Sequence, residues 1–260
     1  MKTLFPVHSC LRAICASLLL LVALALAQFL TAAQLKEARI TEVVKDVKLL
    51  RTQTAPRPAV VSDEVRDGTA VRTGVDSRAE LTFTDQTLAR LGANTIFSFK
   101  GATRKIDIAS GAMLLYVPKN GGGAKINTAV VTAAITGTTC LIKSHRNSYT
   151  KLIFLEGSGR VFLKRRPDQS VVLHAGEMLI VKSNATSLPR PQKINLRLLR
   201  RTSPLLYPPL PSEGLMLAEE QKQLEEAPED TLVDPTSLDV IDQKTNAVPR
   251  PRGGHLPGKP

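Results

Sequence analysis

Apolar and polar positions alternate with a period of two over most of residues 38–182. In the segment RAELTFTDQTLARL, for example, Leu81 and Phe83 alternate with threonines before a turn at residues 85–86. Glycine and Asx breaks follow one another about every 8 to 12 residues, and no segment has the length and period of an amphipathic helix. The pattern predicts an all-β domain of many short strands, folded as a sandwich, a roll or a solenoid-like stack.

The strand predictions follow this alternation and stop at the glycines. Tryptophan is absent and aromatic residues make up only 4% of the chain, so the core must be built mainly from valine, isoleucine and leucine. Besides segments around Ile40 and Leu81, strands are predicted over 95–99, 105–108, 112–117, 124–131, 138–143, 151–155, 160–163, 170–173 and 177–182.

The composition changes after residue 184, where the β domain predicted for residues 34–184 ends. Residues 185–211 are basic and then proline-rich, which predicts a linker that contains a short edge strand or brief helix and then an extended chain over 203–211. Residues 212–227 predict a short acidic helix, with Ser212 as its N-cap. Residues 228–260 are acidic and then rich in proline and glycine, which predicts a disordered tail.

The N-terminus predicts export. Lys2 and Arg12 precede the apolar stretch 13–27, and small residues near its end offer cleavage sites, so residues 1–33 are typical of a signal peptide. An uncleaved membrane anchor is the alternative, although Gln28 interrupts the apolar stretch. In either case the remainder is expected outside the cytoplasm, in the periplasm or the extracellular space, with no transmembrane segment once the leader is removed.

The charge is unevenly distributed along the chain. Residues 34–201 contain 28 Lys and Arg against 13 Asp and Glu, whereas residues 202–260 contain 5 against 10. A basic domain attracts polyanions, and export excludes nucleic acid as the partner. Acidic envelope polysaccharides and lipid phosphates are the remaining candidates, and an ordinary solvated basic surface is the alternative.

The sequence lacks the patterns expected of an enzyme or a metal protein. Cys140 is the one cysteine beyond the leader and lies in an apolar run, which favours a buried core residue over a reactive thiol. No histidine pair has metal-ligand spacing. Ser158 is flanked by two glycines, as in a tight turn, and lacks the nucleophile-elbow pattern. Neither a cofactor nor a metal is predicted, and an envelope enzyme remains only as a third hypothesis.

Two sets of residues are singled out as candidate sites. Lys164, Arg165 and Arg166 precede Pro167-Asp168 at a predicted hairpin tip, and three adjacent cations there make the best candidate for contact with an anion or a partner. Gly74, Gly137 and Gly157 are predicted at structural turns. Gly137 is expected where one strand leaves the core and the next begins, in a geometry that a side chain would obstruct.

The order of these turns resembles the FecR family domain. The matching elements are Gly68 with Thr73-Gly74, the strand that ends at Asp85, the ITGT segment at 135–138 and the LEGSGRV segment at 155–161. The resemblance covers residues 39–183. The family takes its name from the periplasmic sensor that regulates ferric dicitrate uptake.

For the regulatory members, the resemblance implies a cytoplasmic anti-sigma segment, one membrane span and a periplasmic domain. Here 12 residues precede the apolar stretch, too few for a sigma-binding domain, so direct sigma-factor regulation is not expected. The leading hypothesis is a non-catalytic exported β domain that binds a protein partner or an anionic envelope polymer. The alternative is an accessory component of envelope signalling that acts with a separate membrane regulator.

Overall fold

The computed structural model describes residues 37–228 and 231–236. The predicted signal peptide lies outside the described residues. Within this part of the chain strands are the dominant regular structure, which confirms the all-β prediction. Its strands are β1 (Glu37–Val44), β2 (Val47–Arg51), β3 (Arg57–Pro58), β4 (Glu64–Arg66), β5 (Thr69–Thr73), β6 (Arg78–Phe83), β7 (Leu88–Leu91), β8 (Ile96–Lys100), β9 (Lys105–Tyr116), β10 (Ala124–Asn127), β11 (Val131–Ile135), β12 (Thr139–His145), β13 (Tyr149–Glu156), β14 (Ser158–Leu163), β15 (Arg166–His174), β16 (Glu177–Lys182) and β17 (Gln192–Lys193).

Two α-helices and two 3₁₀ turns complete the described structure. The helices lie near the C-terminus, and the prediction of a short helix there is confirmed. The helical elements are a 3₁₀ turn at Gly101–Thr103, α1 (Leu196–Thr202), a 3₁₀ turn at Pro204–Leu206 and α2 (Glu213–Glu226).

The strands form one hydrogen-bonded network that is folded into two sheets. Sheet A has the order β4-β1-β6-β7-β9-β12-β13-β16-β17 and is antiparallel throughout. Sheet B has the order β3-β2-β5-β8-β9-β10-β11-β14-β15, with β9 and β10 parallel. The inner faces of both sheets contribute to one apolar core, so the fold is a sandwich.

Strand β9 belongs to both sheets. Its first half, to Ser110, pairs in sheet B with β8 and β10, and its second half pairs in sheet A with β7 and β12. The change of sheet occurs at Gly111, where a Cβ atom would lie 2.4 Å from the Cα of Thr95. Two strands separated at Gly111 were predicted. The structure corrects this to one strand that bends, because glycine lets the backbone turn without ending the ladder.

The predicted strand over residues 124–131 is instead two strands. Thr128 separates them, because its hydroxyl accepts hydrogen bonds from the amides of Val130 and Val131 at 3.3 and 3.1 Å. This side-chain turn competes with the sheet for backbone donors. The chain therefore turns back at once, and β11 pairs with β10 in an antiparallel hairpin.

Aliphatic side chains fill most of the core, with a few phenylalanines between the sheets. Phe83 of sheet A meets Phe99 of sheet B edge-to-face, with ring centroids 4.9 Å apart. Cys140 is also in this core and fully buried, as predicted. Burial raises the pKa of its thiol far above the ordinary value, so the thiolate needed for reactivity is suppressed.

The outer face of sheet A is apolar over its C-terminal half. All eight residues of β13 are buried, because this strand faces the core on one side and a second apolar cluster on the other. Sheet A supplies Leu114, Leu141, Ile153, Leu155 and Met178 to this second cluster. The C-terminal cover, defined here as residues 194–216, supplies Ile194, Leu196, Leu199, Leu205, Leu206, Leu210 and Met216.

Polar contacts hold the C-terminal cover to the sheet at two points. Arg90 is buried on β7, where its guanidinium pairs with Glu80 at 2.6 Å and donates to the carbonyls of Leu205 and Pro208. Thr139 of β12 shares a hydrogen bond with Ser212 at 2.9 Å. Ser212 was predicted to cap α2, but its side chain makes no cap hydrogen bond; it serves the contact with the sheet instead.

The structure differs from the predicted linker and tail. The short edge strand and brief helix predicted in residues 185–211 are present as β17 and α1, but these residues pack on sheet A rather than link separate parts, and the segment 203–211 predicted as extended includes the 3₁₀ turn at Pro204–Leu206. In the predicted tail, Val233 bridges Ile194 in parallel, and the Pro235 carbonyl accepts a hydrogen bond from Lys151. The apolar face of sheet A requires this cover because exposing it to water is unfavourable. Residues 229–230 and 237–260 of the predicted tail lie outside the described residues.

Leu205→Ala should destabilise the protein by about 2 to 5 kcal/mol, because it leaves a cavity under the C-terminal cover. Tyr207→Ala is the matched control. Tyr207 lies two residues further along the same segment but is 75% exposed, whereas Leu205 is 6% exposed. Its substitution should stay within about 0.5 kcal/mol of the wild type. Urea denaturation measures both, and equal effects would show that the cover contributes little to stability.

Lys151 should make stability depend on pH. Burial, with Lys143 adding to the effect and Asp234 opposing it, lowers the pKa of Lys151 from 10.5 to about 8. Between these values the folded protein has lost a proton that the unfolded chain keeps, so this group's contribution to stability is present above pH 10.5 and is lost as the pH falls through 8.

Relative to the Lys151→Met variant, the wild type should therefore gain about 2 kcal/mol of unfolding free energy when the pH is raised from 7 to 9.5. Urea denaturation at the two pH values measures it. The Met variant retains the length of the side chain and serves as the reference that cancels all other titrations. Parallel stability profiles would contradict the lowered pKa.

Candidate functional site

The outer faces of the two sheets differ in what they offer to a partner. The C-terminal half of sheet A is covered, as described above. On its N-terminal half the charges pair with one another, as in Arg39–Glu64 at 3.2 Å and Arg66–Glu64 at 2.8 Å. The outer face of sheet B has no such cover within the described residues. We therefore take this outer face as the candidate site.

Strand register places four cations of sheet B in one line across the strands. Lys100 of β8 pairs with Lys105 of β9, which pairs with Lys125 of β10. Lys125 pairs with Ala134 of β11, and Ala134 pairs with Arg160 of β14. We call Lys100, Lys105, Lys125 and Arg160 the cationic row. All point away from the core, because the residue after or before each of them on its strand is a core residue.

Few carboxylates neutralise the cationic row. Lys105 pairs with Asp107 at 3.3 Å. Lys100, Lys125 and Arg160 are exposed and form no ion pair with another described residue. With neighbouring strands about 4.8 Å apart, the row spans roughly 19 Å from β8 to β14. The row is therefore a solvent-facing line of largely uncompensated positive charge, interrupted at Ala134 on β11.

The predicted hairpin tip adjoins this row. Lys164, Arg165 and Arg166 lie where β14 turns into β15, and all three side chains are exposed. Arg166 is 3.6 Å from Asp168, which partly offsets its charge. Burial and the neighbouring Lys105 lower the pKa of Lys164, and Asp107 opposes the shift. Since Lys105 influences it, Lys164 extends the positive field of the cationic row.

A second line of residues runs beside the cationic row, two positions further along each strand. Register aligns Ser98, Asp107, Asn127, Thr132, Phe162 and Ser170 across sheet B. We call these residues the polar row. Asn127 donates a hydrogen bond to Asp107 and accepts one from Thr132. The polar row thus combines oriented hydrogen-bonding groups with one half-buried aromatic ring.

A shallow cavity lies at the β8 end of both rows. It has a volume of about 370 Å³, and its lining includes Arg51, Ala70, Ser98, Lys100 and Asp107. The cavity contains one member of the cationic row and two members of the polar row. An anionic group with neighbouring hydroxyls would find both kinds of partner there.

The three singled-out glycines lie in connections between strands. A Cβ atom on Gly74 would be 2.9 Å from the Asp46 carboxylate, and one on Gly157 would be 2.7 Å from the Gly137 carbonyl. Gly137 has φ +58°, and its Cβ would lie 2.9 Å from the Cα of Lys119. In the same connection, the Thr138 hydroxyl donates to the Ser158 carbonyl at 2.9 Å. The ITGT and LEGSG segments therefore pack against each other as structural elements.

Sequence reasoning found the hairpin tip but missed the cationic row. The alternation of a cation with core residues in KIDI (105–108), AKIN (124–127) and GRVF (159–162) indicates that each cation faces outward. It does not indicate that they align, because register between strands depends on long-range pairing.

Other kinds of site find little support in the described residues. In residues 37–228 and 231–236 there is no group of three or more His, Cys, Asp or Glu side chains placed to hold a metal ion. No helix in this part of the chain is long and apolar enough to cross a membrane.

Comparison with known proteins agrees with the predicted resemblance. Residues 69–159 match the family described as FecR protein. The match runs from β5 to the start of β14 and includes the Thr73-Gly74, ITGT and LEGSG segments. The predicted resemblance is therefore found, over a shorter range than residues 39–183. No curated protein matches the chain.

Two solved structures are similar to part of this chain, and both are crystal structures of proteins assigned as anti-sigma factors from Parabacteroides distasonis. The 2.50 Å structure has 14% identity and a TM-score of 0.43, with 51% of this chain and 64% of that chain covered. The 1.65 Å structure has 13% identity and a TM-score of 0.43, with 66% and 87% covered. This chain thus spans 64% of the length of the first structure.

Gly137→Val should destabilise the protein more than Gly68→Val does. Both glycines have positive φ, so both variants suffer a conformational penalty of about 1 to 3 kcal/mol. A Cβ on Gly68 meets nothing within 4 Å, whereas one on Gly137 meets the backbone of Lys119. Thermal melts of the two variants separate the contact from the conformational penalty. Equal melting temperatures would mean that the connection at Gly137 has room for a side chain.

Proposed function

We propose that this protein is a non-catalytic, exported binding module that uses the outer face of sheet B to contact an anionic component of the cell envelope. The observation that carries the proposal is the cationic row, an exposed line of positive charge with one carboxylate partner. Because few carboxylates neutralise its positive charge, such a surface attracts polyanions over several ångströms. The export signal predicted for residues 1–33 supports an envelope component as the partner.

The exposed surface favours a charged polymer over a folded protein partner. Stable protein interfaces usually have an apolar or aromatic centre. The strongly exposed large hydrophobic residues among the described ones are Val60, Val61, Val75, Tyr207, Leu215, Leu217 and Leu224. None of them lies in a strand of sheet B. The contact is thus expected to be electrostatic and polar.

An accessory role in envelope signalling is the second candidate function, and the FecR domain match supports it. In this role the protein would act beside a separate membrane regulator. The same surface could serve both functions if polymer binding were the signal that is passed on.

The proposal is tested by chromatography of residues 34–260 on an acidic polysaccharide resin and on unsubstituted agarose. We expect the protein to be retained only on the acidic resin. Its retention should fall steeply as the salt concentration rises from 50 to 300 mM, because screening weakens contacts between exposed charges. Equal elution from both resins would contradict the proposal. A membrane protein that co-purifies independently of salt would instead favour the signalling role.

A further inference from the structure

We infer that the cationic row and the polar row together bind an acidic polysaccharide, which lies across the strands of sheet B. This inference rests on the proposed function and names its ligand class. The cations would pair with carboxylates on successive sugars. The polar row would hydrogen-bond to the sugar hydroxyls.

The direction of binding follows from the register. Lys100, Lys105 and Lys125 occupy three adjacent strands, so their side chains repeat at about 4.8 Å along the row. Ala134 then leaves a gap before Arg160, and its methyl group does not obstruct a chain that crosses there. A linear polyanion can therefore meet all four cations only if it runs perpendicular to the strands.

The polar row distinguishes a sugar polymer from a simple polyanion. Asn127, Asp107 and Thr132 are already oriented by hydrogen bonds to one another. The Asp107 carboxylate can accept hydrogen bonds from sugar hydroxyls, which the polyphosphate chain does not offer. Phe162 lies half-buried in the same line and presents an apolar ring to a sugar face. A ligand with both carboxylates and hydroxyls matches the two rows, whereas polyphosphate matches only one.

The composition of the outer face of sheet B also argues against a lipid surface as the ligand. A membrane-binding surface that inserts into the bilayer combines its cations with exposed apolar side chains. None of the strongly exposed large hydrophobic residues among the described ones belongs to a strand of sheet B. The face offers charge, hydroxyls and amides, which suit a hydrated polymer.

The test measures binding of decagalacturonate, monomeric galacturonate and polyphosphate by titration calorimetry. The row variant is Lys125→Glu with Arg160→Glu. The matched control is Arg146→Glu with Arg190→Glu, which makes the same change in charge at exposed residues outside the strands of sheet B. Thermal melts confirm that both variants are folded.

We expect the row variant to bind decagalacturonate at least tenfold more weakly than the wild type, and the control to stay within about threefold. The monomer should bind too weakly to measure, because a single charge engages only one cation. An equal loss of affinity for decagalacturonate in the row variant and the control would overturn the inference. It would show that binding depends only on the overall positive charge of the protein. Wild-type affinity in the row variant would overturn the cationic row as the site, and of the proposed function only the binding of an anionic polymer, at another surface of the protein, would remain. Failure of the wild type to bind any polyanion would remove the proposed function as well.

A third variant tests the sugar assignment. Phe162→Ala with Thr132→Val removes the ring and one hydroxyl of the polar row without changing the charge. It should weaken binding of decagalacturonate about fivefold and leave polyphosphate binding unchanged. If the wild type binds decagalacturonate and polyphosphate with equal affinity, and this variant changes neither affinity, the surface recognises charge alone.

Discussion

Burial of β12, β13 and β16 on both faces is the constraint on which the rest of the structure depends. One face of these strands joins the core between the sheets, and the other contributes Leu141, Ile153, Leu155 and Met178 to the apolar cluster under the C-terminal cover. Hydrophobic burial is proportional to the area removed from water, so the sheet and its cover stabilise each other. This arrangement occupies the C-terminal half of the outer face of sheet A, and charges pair with one another on the N-terminal half. The outer face of sheet B is therefore the broad strand surface left for an anionic partner.

The acidic C-terminal region takes part in the same arrangement. Glu220 of α2 pairs with Arg200 of α1 at 2.9 Å, and Glu226 lies 3.8 Å from Lys193. Part of the negative charge of this region is thus paired with cations of α1 and β17, on the side of sheet A. The cations of sheet B remain without that compensation. The uneven charge along the chain becomes an uneven charge between the two sides of the fold.

The sequence predicts the local features of this protein better than the long-range ones. Alternation in segments such as RAELTF predicts both a strand and its inward residues, and the structure agrees, with every second residue of β6 buried. The order of turns also predicts the similarity to the FecR family, whose model matches residues 69–159. In β13 the run YTKLIFLE does not alternate, which indicates burial on both faces, but nothing local shows that leucines some 50 residues later supply the second face. The cationic row could not be predicted from the sequence for a related reason, because its residues come from strands that become neighbours only in the folded sheet.

The position of β9 has a consequence for how the molecule can come apart. Every ladder between strands β1–β8 and strands β10–β17 passes through β9, in both sheets. Neither portion is a closed unit without it, and a nick in this strand would leave long unpaired edges that readily recruit other chains. Proteolytic damage near the middle of this protein would therefore yield self-associating fragments, while nicks in the peripheral loops would be tolerated.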